Sequence, residues 1–299
     1  MKTFNILFVL TDSYVFNVGP LIVSIIKNAP SSRVVFNFIT PDMSEERKVV
    51  MTSFIGSFGA DSNYFHCDEK DGTGFLSTDR YPGFLYSKMM PHKYLPVDMD
   101  RILGLDADTL VTGDISELYY EDFRDNYVVG CHNRRTLNNL LKKHDDDPNY
   151  RDGFNGGVIL YNLDLMRRDI TIHTYRQWLE GYLSTGKKLE QFEEWVMANT
   201  MRGRCKLMMP FDYNYNLSAK ELYDSFCSCK GIVPKRRIVH FLNSNGLTIY
   251  DKPWHYYNHF MKGESNTIST TPFYCYYELW WSYARQLPEE ILESYRVYG

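Results

Sequence analysis

Several large classes of protein are excluded by what this 299-residue chain lacks. No apolar run reaches the roughly 20 residues that a membrane-spanning helix needs. The first apolar stretch, residues 6–10, is short and soon followed by Asp12, unlike a signal-peptide core, so a soluble, cytoplasmic protein is expected. Neither sign of charge dominates: 33 Lys and Arg against 37 Asp and Glu leave a net charge of −4, which offers no global attraction to nucleic acid. Cysteine is sparse, six in all, and only Cys227 and Cys229 lie close together. That spacing is not a zinc pattern, and reduced thiols are expected. No G-x-G-x-x-G follows the first predicted strand, which argues against a dinucleotide-binding oxidoreductase. Internal repeats, low-complexity tracts and a clean domain linker are also missing, and nothing in the pattern specifies an oligomer. Rings, in contrast, are plentiful: 24 Tyr and 18 Phe are available for packing or for stacking on flat ligands.

The order of elements predicts the fold. Residues 4–10 are apolar and β-branched and end in Thr11-Asp12-Ser13-Tyr14, and residues 19–28 repeat apolar positions at helical spacing. Residues 34–39 read as a second buried strand, and Ser44-Glu45-Glu46 opens a helix with Ser44 as its N-cap. Strand alternating with helix predicts an α/β protein with a doubly wound, mostly parallel sheet, whose ligands bind beyond the carboxyl ends of the strands. Residues 84–95 predict a helix that carries Lys88 and stops at Pro96. Strands are expected at 127–130, 158–162 and 238–241, helices at 163–168, 171–183 and 190–201, and a polar excursion at 134–152. The Tyr- and Trp-rich remainder, 256–299, is expected as a helical extension packed on a domain formed by residues 1–255. Gly156 and Gly157, just before a strand, require a tight turn or a close approach of backbone to a ligand.

The chain is organised around residues 98–119, DMDRILGLDADTLVTGDISELY. Asp106 and Asp108 stand where a buried strand reaches solvent, and positions i and i+2 of an extended segment point to one side, so the two carboxylates can converge. Unpaired, they would raise each other's pKa unless a positive charge lay beside them. A hard divalent cation with oxygen ligands answers that need, and a plain polar turn is the competing reading. His240, at the end of another short strand, is either a metal-capable side chain at a turn or a packed core histidine.

Taken together and in order, LTDSY at 10–14, YSKMMPHKYLP at 86–96, DRILGLDADTLVTGDISELY, FNGGVILYNL at 154–163, VHF at 239–241, KPW at 252–254 and WWSYA at 280–284 make the chain similar to glycosyltransferase family 8. This is the retaining group that includes glycogenin and the lipopolysaccharide galactosyl- and glucosyltransferases, and the resemblance runs over residues 4–287. It implies a GT-A fold, a manganese ion with Mg²⁺ as an alternative, and a UDP-hexose donor. Asp106 and Asp108, flanking Ala107, would hold the metal with His240, and Asp106 would also reach the ribose or sugar. Tyr14 matches the ring that stacks on the base, and Leu10, Thr11 and Asp12 belong to the segment that contacts base and ribose. Lys88 stands where relatives usually carry Arg, and Lys252 matches the diphosphate-binding lysine. Asn155 and Gly156 match positions that line the donor sugar, and Asn133 falls near an Asp that contacts it.

The reaction implied is transfer of a hexose, galactose or glucose, to a hydroxyl of a saccharide or lipid-linked glycan, with retention, in lipopolysaccharide or other surface-glycan synthesis. Family relatives usually carry an Asp-Gln pair at the reacting centre, and this chain departs from it. One register, anchored on FDYNYN at 211–216, places Glu193 and Glu194 there; another places Glu190 and Gln191. With Glu194 at the Gln position, a carboxylate would face the anomeric carbon, where it could stabilise positive charge or attack. The alternative is a UDP-sugar-binding protein of the same fold that has lost catalysis. Trp254, Trp280 and Trp281 suit either peripheral membrane contact or packing on the sheet.

Overall fold

The structure is a computed structural model of the chain, and it describes residues 3–29, 33–68, 83–133, 137, 153–186, 192–242 and 252–298. Ten strands are found among them: β1 Thr3–Val9, β2 Arg33–Thr40, β3 Asp61–His66, β4 Arg101–Leu105, β5 Thr109–Val111, β6 Val128–His132, β7 Phe154–Asn162, β8 Cys205–Met208, β9 Tyr215–Asn216 and β10 Ile238–His240. Seven form the main sheet in the order β3-β2-β1-β4-β7-β6-β8, and β5, β10 and β9 form a small second sheet. All neighbours in the main sheet are parallel except the two pairs that β7 makes with β4 and β6. The mixed α/β architecture is therefore mostly parallel, as the alternation of strand and helix predicts.

Close packing at the sheet centre depends on a residue without a side chain. A Cβ on Gly104 of β4 would lie 2.9 Å from Tyr161 Cε2 on β7, so glycine there lets the buried Tyr161 ring cross the strand. The helix Gly19–Asn28, with Pro20 in its first turn, buries Leu21, Ile22, Val23 and Ile25 completely. Such a helix is covered on more than one side. Strand β5 of the small sheet and the C-terminal helix Tyr274–Ala284 both pack against it.

The tail is three short helices, Tyr257–Lys262, Tyr274–Ala284 and Glu289–Ser294, with intervening turns. Trp254, Trp280, Trp281 and Tyr295 belong to the same buried cluster as Phe4, Ile22 and Phe36. Tyr295 donates a 2.6 Å hydrogen bond to the Phe16 carbonyl, and Trp281 Nε1 donates to the Pro253 carbonyl at 3.0 Å. Of the two readings open for the three tryptophans, packing is the one found: they are at most 2% exposed, and burying rings of this size removes far more apolar area from water than a rim position would. No helix among the described residues is long and apolar enough to cross a membrane.

One local expectation is corrected and another holds in position but not in its bonding. The helix expected over 84–95 is a 3-10 turn, Gly83–Met89, followed by a single α-turn, Pro91–Tyr94. Pro91 disfavours the helical region for the residue before it, and Met90 lies outside that region at φ −133, ψ 50. Ser44 stands at the N-cap position of Glu45–Gly56, yet its hydroxyl makes no capping bond and donates to Asp12 Oδ1 at 2.8 Å. The polar excursion at 134–152 and the segment 243–251 lie outside the described residues apart from Leu137, as do Glu190 and Gln191.

Candidate active site

The site is assembled by two strand registers. Asp106-Ala107-Asp108 is the turn from β4 of the main sheet into β5 of the small one, rather than a stretch of extended strand. Thr109 Oγ1 closes the turn by donating to the Asp106 carbonyl at 2.8 Å. Antiparallel pairing sets His240 of β10 opposite Thr109, and the Phe241 N–H donates to the Asp108 carbonyl at 2.8 Å. Asp106, Asp108 and His240 thus come from segments about 130 residues apart, and each offers a ligand atom within 4.8 Å of the others.

Each aspartate has its own cation. Lys88 donates to Asp106 Oδ1; Lys252 donates to Asp108 Oδ2 and, at 2.8 Å, to the Phe241 carbonyl. His240 Nε2 lies 3.1 Å from Asp108 Oδ1. Burial of Asp108 favours its neutral form, but Lys252 and His240 outweigh that and hold its carboxyl well below the usual range. Burial likewise opposes the Lys88 ammonium, and the charges of Asp106 and Glu193 reverse the balance, leaving its pKa above an ordinary lysine's. The positive partners that two neighbouring carboxylates need are supplied by lysines on opposite sides of the turn.

The second group of polar residues surrounds the two glycines at the start of β7. Glu194, from the helix Phe192–Thr200, accepts from the Gly156 N–H at 2.5 Å and from Asn155 Nδ2 at 3.2 Å, both at Oε1. Asn155 Oδ1 accepts from the Gly157 N–H at 3.1 Å and from Asn214 Nδ2 at 2.8 Å, and Asn214 Oδ1 lies 2.9 Å from His240 Nδ1. The close approach that the glycines allow is to these side chains. A Cβ on Gly157 would stand 2.1 Å from His240 Cε1, and one on Gly156 would stand 3.1 Å from Glu194 Cγ. Burial, then the neighbouring Glu193, pushes the Glu194 carboxyl up to about 8, against the opposing pull of the Gly156 N–H and Lys88. Glu193 is raised as well, by burial first, with Lys88 working against it.

The nucleoside-side candidates follow β1, the parallel neighbour of β4. Leu10 is buried and donates its N–H to the Ile39 carbonyl at 3.2 Å. Thr11 pairs its hydroxyl with Ser13 at 3.0 Å. Tyr14 is 47% exposed, edge-on to Trp254 with 6.3 Å between centroids, which leaves a ring face to solvent. Its phenol is raised by burial, then by Tyr298 and Asp108, which places it within electrostatic reach of the metal-type cluster. Asp12 is occupied: Oδ1 accepts from the Ser44 N–H and hydroxyl, and Oδ2 pairs with Arg47 Nε at 3.4 Å. Asn133 is buried just past β6, with its N–H on the Gly153 carbonyl at 3.2 Å. Ala107 is half-buried against the main core.

Two residues were not legible as site components. Arg47 clamps Asp12 and also lies over the Phe16 ring at 4.7 Å; a lone arginine on a predicted helix gives no signal of that. Asn214 joins Asn155 to His240, and its only mark in the sequence is membership of the FDYNYN segment.

A sequence profile described as glycosyl transferase family 8 matches residues 5–258. Among curated relatives, a putative glycosyltransferase of Haemophilus influenzae is 24% identical over 71% of this chain and 62% of its own length. Human xylosyl- and glucuronyltransferase LARGE2 is 33% identical over 36% of this chain and 16% of its own length. The chain therefore spans less than two-thirds of those relatives. An Escherichia coli lipopolysaccharide 1,2-glucosyltransferase is 22% identical over 85% of this chain and 74% of its own. Of solved structures, galactosyltransferase LgtC in complex with donor and acceptor sugar analogs matches with a TM-score of 0.74 and 18% identity, covering 97% of this chain and 99% of that one. An active-site mutant of LgtC with glutamate in place of glutamine matches equally well, at 0.74 and 19%.

Proposed function

The chain belongs to glycosyltransferase family 8, and from that premise we propose that it moves a hexose from a UDP-sugar to a glycan hydroxyl with retention, dependent on Mn²⁺ or Mg²⁺, in the synthesis of a surface glycan. One observation carries the reading: two carboxylates and an imidazole meet within 4.8 Å, between two lysines, at the end of a central strand. Carboxylate oxygens and one neutral imidazole suit Mn²⁺, whose remaining positions diphosphate oxygens can fill, so the residues fit the metal. When bound, the ion would supply Lewis-acid stabilisation of the departing diphosphate.

The chain's own side chains account for the rest. Lys252 and Lys88 flank the cluster and place fixed positive charge where the leaving group develops negative charge. Tyr14, with its exposed face, is positioned to stack on the uracil, and Arg47 holds Asp12 in place beside it. Asn155, Gly156 and Glu194 line the sugar side. With its pKa near 8, Glu194 is a neutral acid at pH 7 and presents a carbonyl and a hydroxyl much as glutamine presents a carbonyl and an amine. The departure from the family's Asp-Gln pair is then smaller in chemistry than in sequence, and front-face transfer is favoured over attack by Glu194. The galactose and glucose transfer named for the matched relatives motivates the hexose; the match to one lipopolysaccharide 1,2-glucosyltransferase motivates the surface glycan.

Thermal shift with UDP-glucose, UDP-galactose, UDP-GlcNAc and UDP-xylose, each with and without Mn²⁺, tests this directly. A ligand present at 100 times its Kd adds about 2.7 kcal/mol to stability, so one or more donors should raise the Tm by several degrees, and only with metal. No shift with any uridine nucleotide would overturn the reading. Metal-dependent hydrolysis of the stabilising donor distinguishes a working transferase from a protein that only binds it.

A further inference from the structure

The polar chain behind the metal-type cluster has only one consistent hydrogen assignment. The Gly157 N–H can only donate, so the Asn155 atom 3.1 Å from it is the carbonyl oxygen, and the Asn155 amino group faces Glu194. The Asn214 atom 2.8 Å from that same oxygen must then be its amino group. That turns the Asn214 carbonyl towards His240 Nδ1 at 2.9 Å. A carbonyl only accepts, so Nδ1 carries the hydrogen. Asp108 Oδ1, 3.1 Å from Nε2, only accepts as well, so a proton on Nε2 or a metal ion between the two satisfies both, and with metal bound Nε2 supplies its lone pair. Asn214 is 2% exposed and His240 is fully buried, so water does not compete for either bond. Gly157 admits the ring at a distance no Cβ would allow.

We propose that Asn214 is a positioning residue, which, through an amide chain anchored on the Gly157 N–H, holds His240 with Nδ1 protonated and Nε2 aimed at the metal. The inference rests on the metal reading above. It adds that the same chain, through Asn155, orients a donor onto Glu194, so one relay sets both the metal side and the sugar side of the site. A histidine ligand whose second nitrogen is not fixed loses both tautomer and orientation, and outer partners of this kind are worth about 10–100-fold in metal affinity.

Two measurements decide it. The first is made on the intact wild-type chain, ¹⁵N-labelled at histidine and metal-free at alkaline pH, with His240 assigned by its loss in His240→Gln. Long-range ¹⁵N–¹H spectra should show Nδ1 protonated, in the Nδ1–H tautomer or in the imidazolium that the Asp108 carboxylate can also hold; the neutral Nε2–H tautomer overturns the proposal whatever any variant does. The second is Mn²⁺ affinity by calorimetry, or by electron paramagnetic resonance of the free ion, for Asn214→Leu and Asn214→Asp. The leucine variant removes the acceptor and should bind about 10–100-fold more weakly. The aspartate variant still accepts from Nδ1–H but loses the donor to Asn155, so it should recover part of the affinity and bind more tightly than the leucine variant; a purely structural role would leave the carboxylate no better than leucine. Asn214→Leu with unchanged affinity, or both variants equally weak, overturns the positioning role and leaves the metal site standing. If the wild-type chain itself binds no Mn²⁺, the metal reading fails, and this role with it.

Discussion

Asp106 and Asp108 stand two residues apart in one turn, and they are held in different ways. The Asp108 side chain is 13% exposed and fixed from two directions by His240 and Lys252. The Asp106 side chain is 35% exposed and meets one cation, Lys88, which is itself 10% exposed. Asp108 is gripped by residues from the far end of the chain, delivered by the register of β10 on β5. Asp106 is gripped by Lys88, from the 3-10 turn only 18 residues earlier in the chain. The difference separates an anchored carboxylate from a more open one, and the contact proposed between Asp106 and a donor sugar or ribose relies on that openness. Two identical side chains in one motif therefore acquire different surroundings, on which the separate roles proposed for them rest.

The largest effect is expected on the anchored side. Asp108→Asn removes a ligand and leaves Lys252 and His240 facing an uncharged amide, so Mn²⁺ affinity should fall by at least about 100-fold, beyond what outer partners cost. Asp106→Asn should lose less metal affinity but also weaken UDP-sugar binding. Calorimetry with Mn²⁺ and then with UDP-sugar separates the two. Equal Mn²⁺ losses with unchanged nucleotide affinity in both variants would erase the division of labour.

A steric change sharpens the same comparison. Gly157→Ala would put a methyl 2.1 Å from His240 Cε1, and relieving it costs about 1–3 kcal/mol of overpacking. The ring has to move, so Mn²⁺ affinity should fall by roughly tenfold, consistent with disturbed ligand orientation. Gly156→Ala meets the flexible Glu194 side chain at 3.1 Å instead, and it should leave metal affinity nearly unchanged while altering donor turnover. Similar metal losses in both would show that the two glycines do not serve separate sides.

What the sequence revealed follows from which forces are local. Alternation of apolar strand and amphipathic helix placed the main sheet, and the family motifs named Asp106, Asp108, His240, Lys88 and Lys252, which the structure brings together. The expected helix at 84–95 is broken at Met90-Pro91, since a proline restrains the residue before it and the apolar pattern does not register that restraint. Trp280 and Trp281 fitted a membrane rim as well as a core, since composition alone cannot say which side an aromatic helix buries. Asn214 was invisible for a different reason. Its role is a hydrogen bond to a residue 26 positions away, fixed by a backbone N–H of a third segment, and no periodicity or spacing records such a relation.

The smallest effect on activity is expected at Glu194, on the opposite side from the anchor. In the unfolded chain its carboxyl would release its proton near 4.5, and in the folded chain near 8. Between those values the folded state holds one proton more than the unfolded state. Stability therefore declines as pH rises through that window, by at most about 1.4 kcal/mol per pH unit, and levels off above it. Glu194→Gln keeps an oxygen to accept from the Gly156 N–H and Asn155 Nδ2 and removes the titration. The variant should match the wild type in denaturant melts near pH 4.5 and exceed it by roughly a few kcal/mol at pH 8. If the neutral acid is the working form, turnover at pH 7 should stay within about tenfold of wild type, and any wild-type decline above pH 8 should vanish in the variant. A loss of 1,000-fold or more, about 4 kcal/mol in the barrier, with donor affinity intact, would mean that the ionised carboxylate does the chemistry, and the sugar side would then be as charged as the metal side.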